Sequence, residues 1–200
     1  MQVGDIRVEL LFSPHPRKDR NHGLHLLEKQ LRAAKESVDM ALFVFSAQQL
    51  TNVLREQIKR GIEIRLVADP GFASRPFSEV LDLLGVSLPD HTCKVEAGNQ
   101  PLDQALKDVG SSRLARGDKH HHKFAVIDNR KVITRSFNWS PSTVHTNDKT
   151  LLMIHSPQLA QHFTQEMDRL RDGAELGITP QLQGKLNRQK IRCGDGVTRG

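Results

Sequence analysis

The hydrophobic pattern changes period several times along the 200 residues. Residues 6–12 (IRVELLF) read as a first strand, and residues 13–23 (SPHPRKDRNHG) read as loop, with two prolines among several charges. From Leu24 the apolar positions Leu27, Leu31, Ala34 and Val38 follow at steps of three and four, the mark of an amphipathic helix. The run SVDMALFVFS (37–46) predicts a buried strand. Ser46 is placed to cap a second helix, with Leu50, Val53, Leu54 and Ile58 on one face and Gly61 as its stop. Residues 62–69 (IEIRLVAD) alternate as a strand does.

The second half is less regular. A short helix over 78–85 ends at Gly85, and CKVEAG (93–98) suggests a short strand. Residues 99–118, rich in Gly, Ser and charge, read as mostly loop. KFAVID (123–128) and KVITRSF (131–137) form two strands of a hairpin with Asn129 near its tip. TLLMIH (150–155) is a further strand. Ser156 and Pro157 then open a helix striped by Ala160, Phe163, Met167 and Leu170 and ended by Gly173. Strand and helix alternate, which predicts an α/β fold: a mixed, largely parallel β-sheet with helices on both faces. The organisation expected is a domain over residues 1–173 and a basic tail over 174–200, partly helical or disordered.

Charge narrows the partners. Twenty-nine Lys and Arg against 23 Asp and Glu leave a net charge of +6, which suits a phosphate-bearing partner, either nucleic acid or anionic lipid. Eight Phe, one Trp and no Tyr leave little material for base-stacking platforms. Cys93 and Cys193, 100 positions apart, make neither a disulfide framework nor a zinc ribbon, so a reducing compartment is the default. The first residues carry charges inside their apolar run, unlike a signal peptide, and MALFVFSA is too short to span a bilayer. A cytoplasmic protein is the expectation.

The candidate chemistry lies in KHHHKFAVID (119–128). Side chains alternate along a strand, so His121 and Lys123 share one face while His120 and His122 take the other. Adjacent histidines on opposite faces make a poor metal site, and no Cys or carboxylate stands at ligand spacing. An imidazole beside an ammonium suits a phosphodiester: the lysine neutralises a phosphate oxygen and the imidazole attacks phosphorus. The neighbouring positive charge favours the neutral, nucleophilic imidazole. Ser136 and Asn138, again two apart, supply neutral donors for phosphate oxygens. Trp139 reads as packing, and the histidines outside the motif as surface or helix-face residues.

HHKFAVID followed by VITRSFNWS resembles the phospholipase D superfamily signature H-x-K-x4-D-x6-G-S-x-N, through His121, Lys123, Asp128, Ser136 and Asn138. The likeness covers about residues 8–171. One motif per chain resembles the branch of bacterial endonucleases and mitochondrial cardiolipin hydrolases. The resemblance implies a homodimer with the active site at its interface and no metal or other cofactor. It implies that His121 of one subunit forms a phosphohistidine while the partner's His121 protonates the leaving oxygen. Lys123, Ser136 and Asn138 would hold the phosphate, with Asp128 as support near the site. An endonuclease acting on DNA or RNA is the leading expectation. A phospholipase D acting on anionic lipid such as cardiolipin is the alternative.

Two positions depart from the family pattern. Arg135 stands where relatives carry Gly, and Lys149 stands where they commonly carry a glutamate that bonds the histidine. A lysine cannot accept that bond. These departures motivate a third reading, a nucleic-acid-binding module with weakened catalysis.

Overall fold

The computed structural model describes every residue except Arg17, Arg20, Arg135, Phe137, Asn147, Asp195, Gly196 and Gly200, and leaves the side chain of Arg199 aside. The chain begins with a hairpin, β1 (Gln2–Val3) and β2 (Ile6–Ser13). Helix α1 (Gly23–Arg32), strand β3 (Ser37–Leu42), helix α2 (Gln48–Lys59) and strand β4 (Glu63–Ala68) follow. Two short helices, α3 (Pro70–Ala73) and α4 (Glu79–Leu83), lead to β5 (Lys94–Val95) and β6 (Val109–Ser112). The hairpin β7 (Lys123–Ile127) and β8 (Lys131–Thr134) precedes α5 (Pro141–His145) and β9 (Lys149–His155). The chain closes with α6 (Pro157–Asp172), β10 (Ala174–Leu176), α7 (Pro180–Cys193) and β11 (Thr198–Arg199).

One nine-stranded sheet, in the order β1-β2-β9-β8-β7-β3-β4-β6-β10, forms the centre of the fold. Among the described residues, its parallel pairings are β3–β4 and β4–β6, and its other neighbours run antiparallel. The α/β class therefore stands, but the sheet is largely antiparallel, not largely parallel. The strand-helix-strand pattern of residues 37–68 does produce a parallel crossover through α2. Strand β7 then inserts beside β3 in the opposite sense, and its tight hairpin carries that sense into β8.

Helices cover both faces. On one, Leu27 and Leu31 of α1 and Val53 and Leu54 of α2 bury against Met40, Leu66, Ala125 and Ile133. On the other, Ala160 and Met167 of α6 pack on Ala41, Val67, Phe124, Val126 and Val132. Arg65 pins this second layer: it reaches both carboxylate oxygens of the buried Asp39 at 2.6 and 2.5 Å, and Asp168 of α6 at 2.7 Å. No helix among the described residues is long and apolar enough to cross a membrane.

Helix α1 ends at Arg32, so Val38, expected on its stripe, lies in β3 instead. Three further local expectations change. Helix α2 starts with Ala47 at its cap and no side-chain bond, so Ser46 does not cap it. Residues 99–118 contribute β6 to the sheet interior instead of being mostly loop. Gly110 makes that possible, because a Cβ there would lie 2.1 Å from the Glu175 carbonyl oxygen of β10. Third, Cys93 and Cys193 form a disulfide that ties the end of α7 to β5. Residues beyond 173 thus supply the edge strand β10, and α7, whose Leu182 joins the main core.

The buried Glu79 gives the fold a pH dependence. It is 2% exposed, and burial pushes its carboxyl up to about 8. The folded state then holds a proton that the unfolded chain releases near pH 4.5. Stability is full below that value and falls as pH rises toward about 8. Chemical denaturation from pH 5 to 9 should show this decline, and Glu79→Gln should flatten it. An equally steep decline in the variant would assign the effect to other groups.

Candidate active site

The site is built where β7 begins. Ser112 and Asp69 hold the histidine run from beneath. His120 is 3% exposed, its Nδ1 lies 2.7 Å from Ser112 Oγ, and its backbone N–H donates to Asp69 Oδ2 at 3.0 Å. Asp69 itself caps α3 by accepting from the N–H groups of Gly71 and Phe72. One buried carboxylate therefore fixes both α3 and the backbone of the run. Burial holds the His120 imidazole down at about 4, so it stays neutral.

The alternation expected from strand geometry is present. His122 lies toward α6, in a T-shaped contact with Phe124 at 5.5 Å and 3.2 Å from Glu166. His121 turns to the other side and is exposed. The Lys123 ammonium stands 3.2 Å from both ring nitrogens of His121 and donates to its carbonyl oxygen at 3.1 Å. Desolvation first, and the Lys123 charge second, hold the His121 imidazole below its usual range. Burial and the charge of Lys149 likewise lower Lys123. The result is an imidazole biased toward its neutral form beside an ammonium, open to solvent.

Strand β8 pairs Thr134 with Phe124, so the chain leaves β8 beside the segment that carries His121 and Lys123. Ser136 is exposed, and its Oγ accepts from the Thr150 N–H at 3.3 Å. Asn138 is half-buried, and its Oδ1 finds no partner among the described residues. Trp139 is core, with its ring T-shaped to Phe45 at 5.7 Å. Arg135 lies outside the described residues. Lys149 opens β9 opposite Ser13, and the β8–β9 register runs without a slip, so Asp148 stays exposed and outside the strand. Among the described residues, no group of three or more His, Cys, Asp or Glu is placed to hold a metal ion.

Asp128 stands at the opposite end of β7 from Lys123 and does not join the imidazole. Its backbone has φ +52°, in the left-handed region a tight hairpin needs. Its carboxylate accepts the N–H groups of Lys35, Glu36 and Ser37 at 2.8 to 3.1 Å. This tie locks the hairpin to the start of β3. Asp128→Ala should lower unfolding stability by about 2–3 kcal/mol, because charge-assisted bonds are lost and their donors stay under-satisfied. Turnover of the folded fraction should stay within a few-fold of wild type. Lost turnover at unchanged stability would put Asp128 in the chemistry instead.

Comparison with known proteins fixes the family. The model described as "Cardiolipin synthase, PLD-like domain" matches residues 27–171. The chain belongs to the phospholipase D superfamily. It is 26% identical over 180 residues to the mitochondrial cardiolipin hydrolase of Danio rerio, covering 84% of this chain and 69% of that protein. It is 30% identical over 152 residues to the mitochondrial cardiolipin hydrolase of Homo sapiens, covering 74% of this chain and 52% of that one. The chain thus spans little more than half of some of its relatives' length. Two solved structures share the fold at 18% identity. NucT from Helicobacter pylori has a TM-score of 0.67, with 86% of this chain and 99% of that chain covered. The phospholipase D family member Nuc from Salmonella typhimurium has a TM-score of 0.63, with 86% and 98% covered.

Two site residues escaped the motif. Asp69 shows itself in sequence only as an Asp-Pro at a strand end, a common helix start. Phe43 sits inside an apolar run and carries no polar signal. Its ring nonetheless lies 4.5 Å from that of His121.

Proposed function

We propose that this phosphodiesterase of the phospholipase D superfamily cleaves nucleic acid without a metal ion, as a homodimer, with His121 as nucleophile. The observation that carries the reading is the exposed His121–Lys123 pair at the rim of a cleft of about 240 Å³, whose α6 side is lined by Lys119, His122, Arg113 paired with Glu175, and Arg169 paired with Glu166. A groove with several cations suits successive phosphates of a strand. Few aromatics mean that the backbone, more than stacked bases, would supply affinity.

The chemistry follows from the residues. A neutral His121 nitrogen attacks phosphorus, a P–N bond forms, and the bond to the leaving oxygen breaks. That oxygen takes a proton from the partner subunit's His121, which then removes a proton from water. The water attacks phosphorus, the P–N bond breaks, and His121 returns to its free form. Lys123, with Ser136 and Asn138, holds the non-bridging oxygens. Its ammonium carries the charge stabilisation that a bound cation gives in metal-dependent enzymes. Lys149 adds a further positive charge and cannot accept a bond from the imidazole, which favours modest turnover.

A lipid substrate is the second reading. The relatives are named cardiolipin hydrolases. Leu10 and Phe12 of β2 are 44% and 63% exposed, and the next residue, Ser13, pairs with Lys149. An apolar surface beside a cationic site fits an acyl chain next to a phosphate.

Labelled single strands, supercoiled plasmid and cardiolipin liposomes should be compared in excess EDTA. Cleavage of the nucleic acids, weakening as salt rises, is the outcome expected. Liposome turnover without nucleic-acid cleavage would establish the lipid reading. Salt-dependent binding with neither activity would leave a binding module.

A further inference from the structure

Phe43 leaves β3 directly beside the reactive pair. Its ring, the His121 imidazole and the Lys123 ammonium form a triangle. The ring centroids are 4.5 Å apart at 57°, and Nζ lies 4.9 Å from the phenyl centroid, over its face. Phe72 of α3 backs the ring in a T-shaped contact at 4.6 Å. Asp69 caps the helix that carries Phe72 and also holds the His120 backbone. The aromatic pair and the histidine run are thus tied to one anchor.

The charges around His121 are one-sided. Lys123, His122 and Lys149 all oppose a positive imidazole, and Asp69 acts in the other sense. Asp69 is engaged with the N–H groups of Gly71, Phe72 and His120. Among the described residues, no carboxylate bonds the His121 ring. The reaction, however, passes through a cationic histidine. The face of an aromatic ring carries partial negative charge and attracts such cations. The quadrupole of Phe43 is the feature of opposite sign that touches both members of the pair.

We propose that Phe43 is a positioning residue that holds the Lys123 ammonium and the His121 imidazole in reacting geometry and steadies the positive charge they share, in place of a carboxylate partner. Its kinetic consequence rests on the phosphodiesterase reading; its electrostatic consequence does not.

Phe43→Leu keeps an apolar side chain and removes the ring face. Phe43→Trp keeps and strengthens the face, and mono-, di- and trifluorophenylalanine at position 43 weaken it at nearly constant shape. The Leu variant should lose kcat by about 5- to 30-fold with KM nearly unchanged. Trp should retain most of the turnover, and log kcat should fall stepwise with fluorination. In the same set, NMR titration should show the His121 pKa falling as the ring face weakens. Wild-type kcat together with an unmoved His121 titration in the Leu and fluorinated proteins would overturn the proposal. If wild type cleaves no phosphodiester, the proposed function fails, and the titration alone still decides the role of Phe43. If the Leu variant misfolds, the fluorinated series carries the test.

Discussion

His121→Asn should lower phosphodiester cleavage by on the order of 10⁴-fold or more, while the thermal midpoint stays within about 1–2 °C of wild type. The two halves of this expectation have separate causes. Asparagine keeps a polar, though smaller, side chain but has no nitrogen able to attack phosphorus. His121 is also exposed, and its polar contacts among the described residues are with Lys123, so its loss leaves the core intact. His120→Asn provides the contrast one residue away. His120 is buried against Ser112, so the same change should mainly cost stability. Parallel melting curves and steady-state rates for the two variants separate these outcomes. Turnover retained by His121→Asn would remove it as nucleophile.

Reduction of the Cys93–Cys193 bond should destabilise the protein by about 3–5 kcal/mol, since the bond closes a loop of 100 residues. For a chain of this size that corresponds to a fall in Tm of about 10 °C. The bond anchors one end of α7, whose Leu182 reaches the main core and whose Lys185 bonds Ser74 near α3. Melting with and without a reductant, alongside Cys93→Ser, measures the effect. A midpoint unchanged by reductant, or two free thiols in the isolated protein, would contradict it. The thiol state in the native source also tests the cytoplasmic expectation, because such bonds persist in oxidising compartments.

What could be read from sequence follows from how local each signal is. The β7–β8 hairpin and the opposite facing of His121 and His122 depend only on strand period and turn chemistry, so KFAVID–DNRK was enough. Ser156 caps α6 as its position before Pro157 implies, accepting from the Leu159 N–H. Strand β6 was hidden because Val109–Ser112 is mostly small and polar, and its burial comes from β4 and β10 on either side. Sheet direction is not legible in the sequence because a strand-helix-strand repeat describes one crossover. The antiparallel edge is instead decided by where β2 and β9 dock, far apart in sequence. The disulfide and the anchor role of Asp69 are long-range for the same reason. Spacing pointed to His121 and Lys123, and the family pattern to Lys149; the fold supplied Phe43 and Asp69 around them.

The decisive measurement is a rapid-quench trapping experiment in excess EDTA with an end-labelled oligonucleotide, followed by mass mapping of the peptide that contains residues 119–123. An acid-labile phosphoryl adduct on His121, formed before product and absent from His121→Asn, is what the mechanism predicts. Cleavage that proceeds with no adduct on His121, or only when a divalent metal is restored, would contradict it.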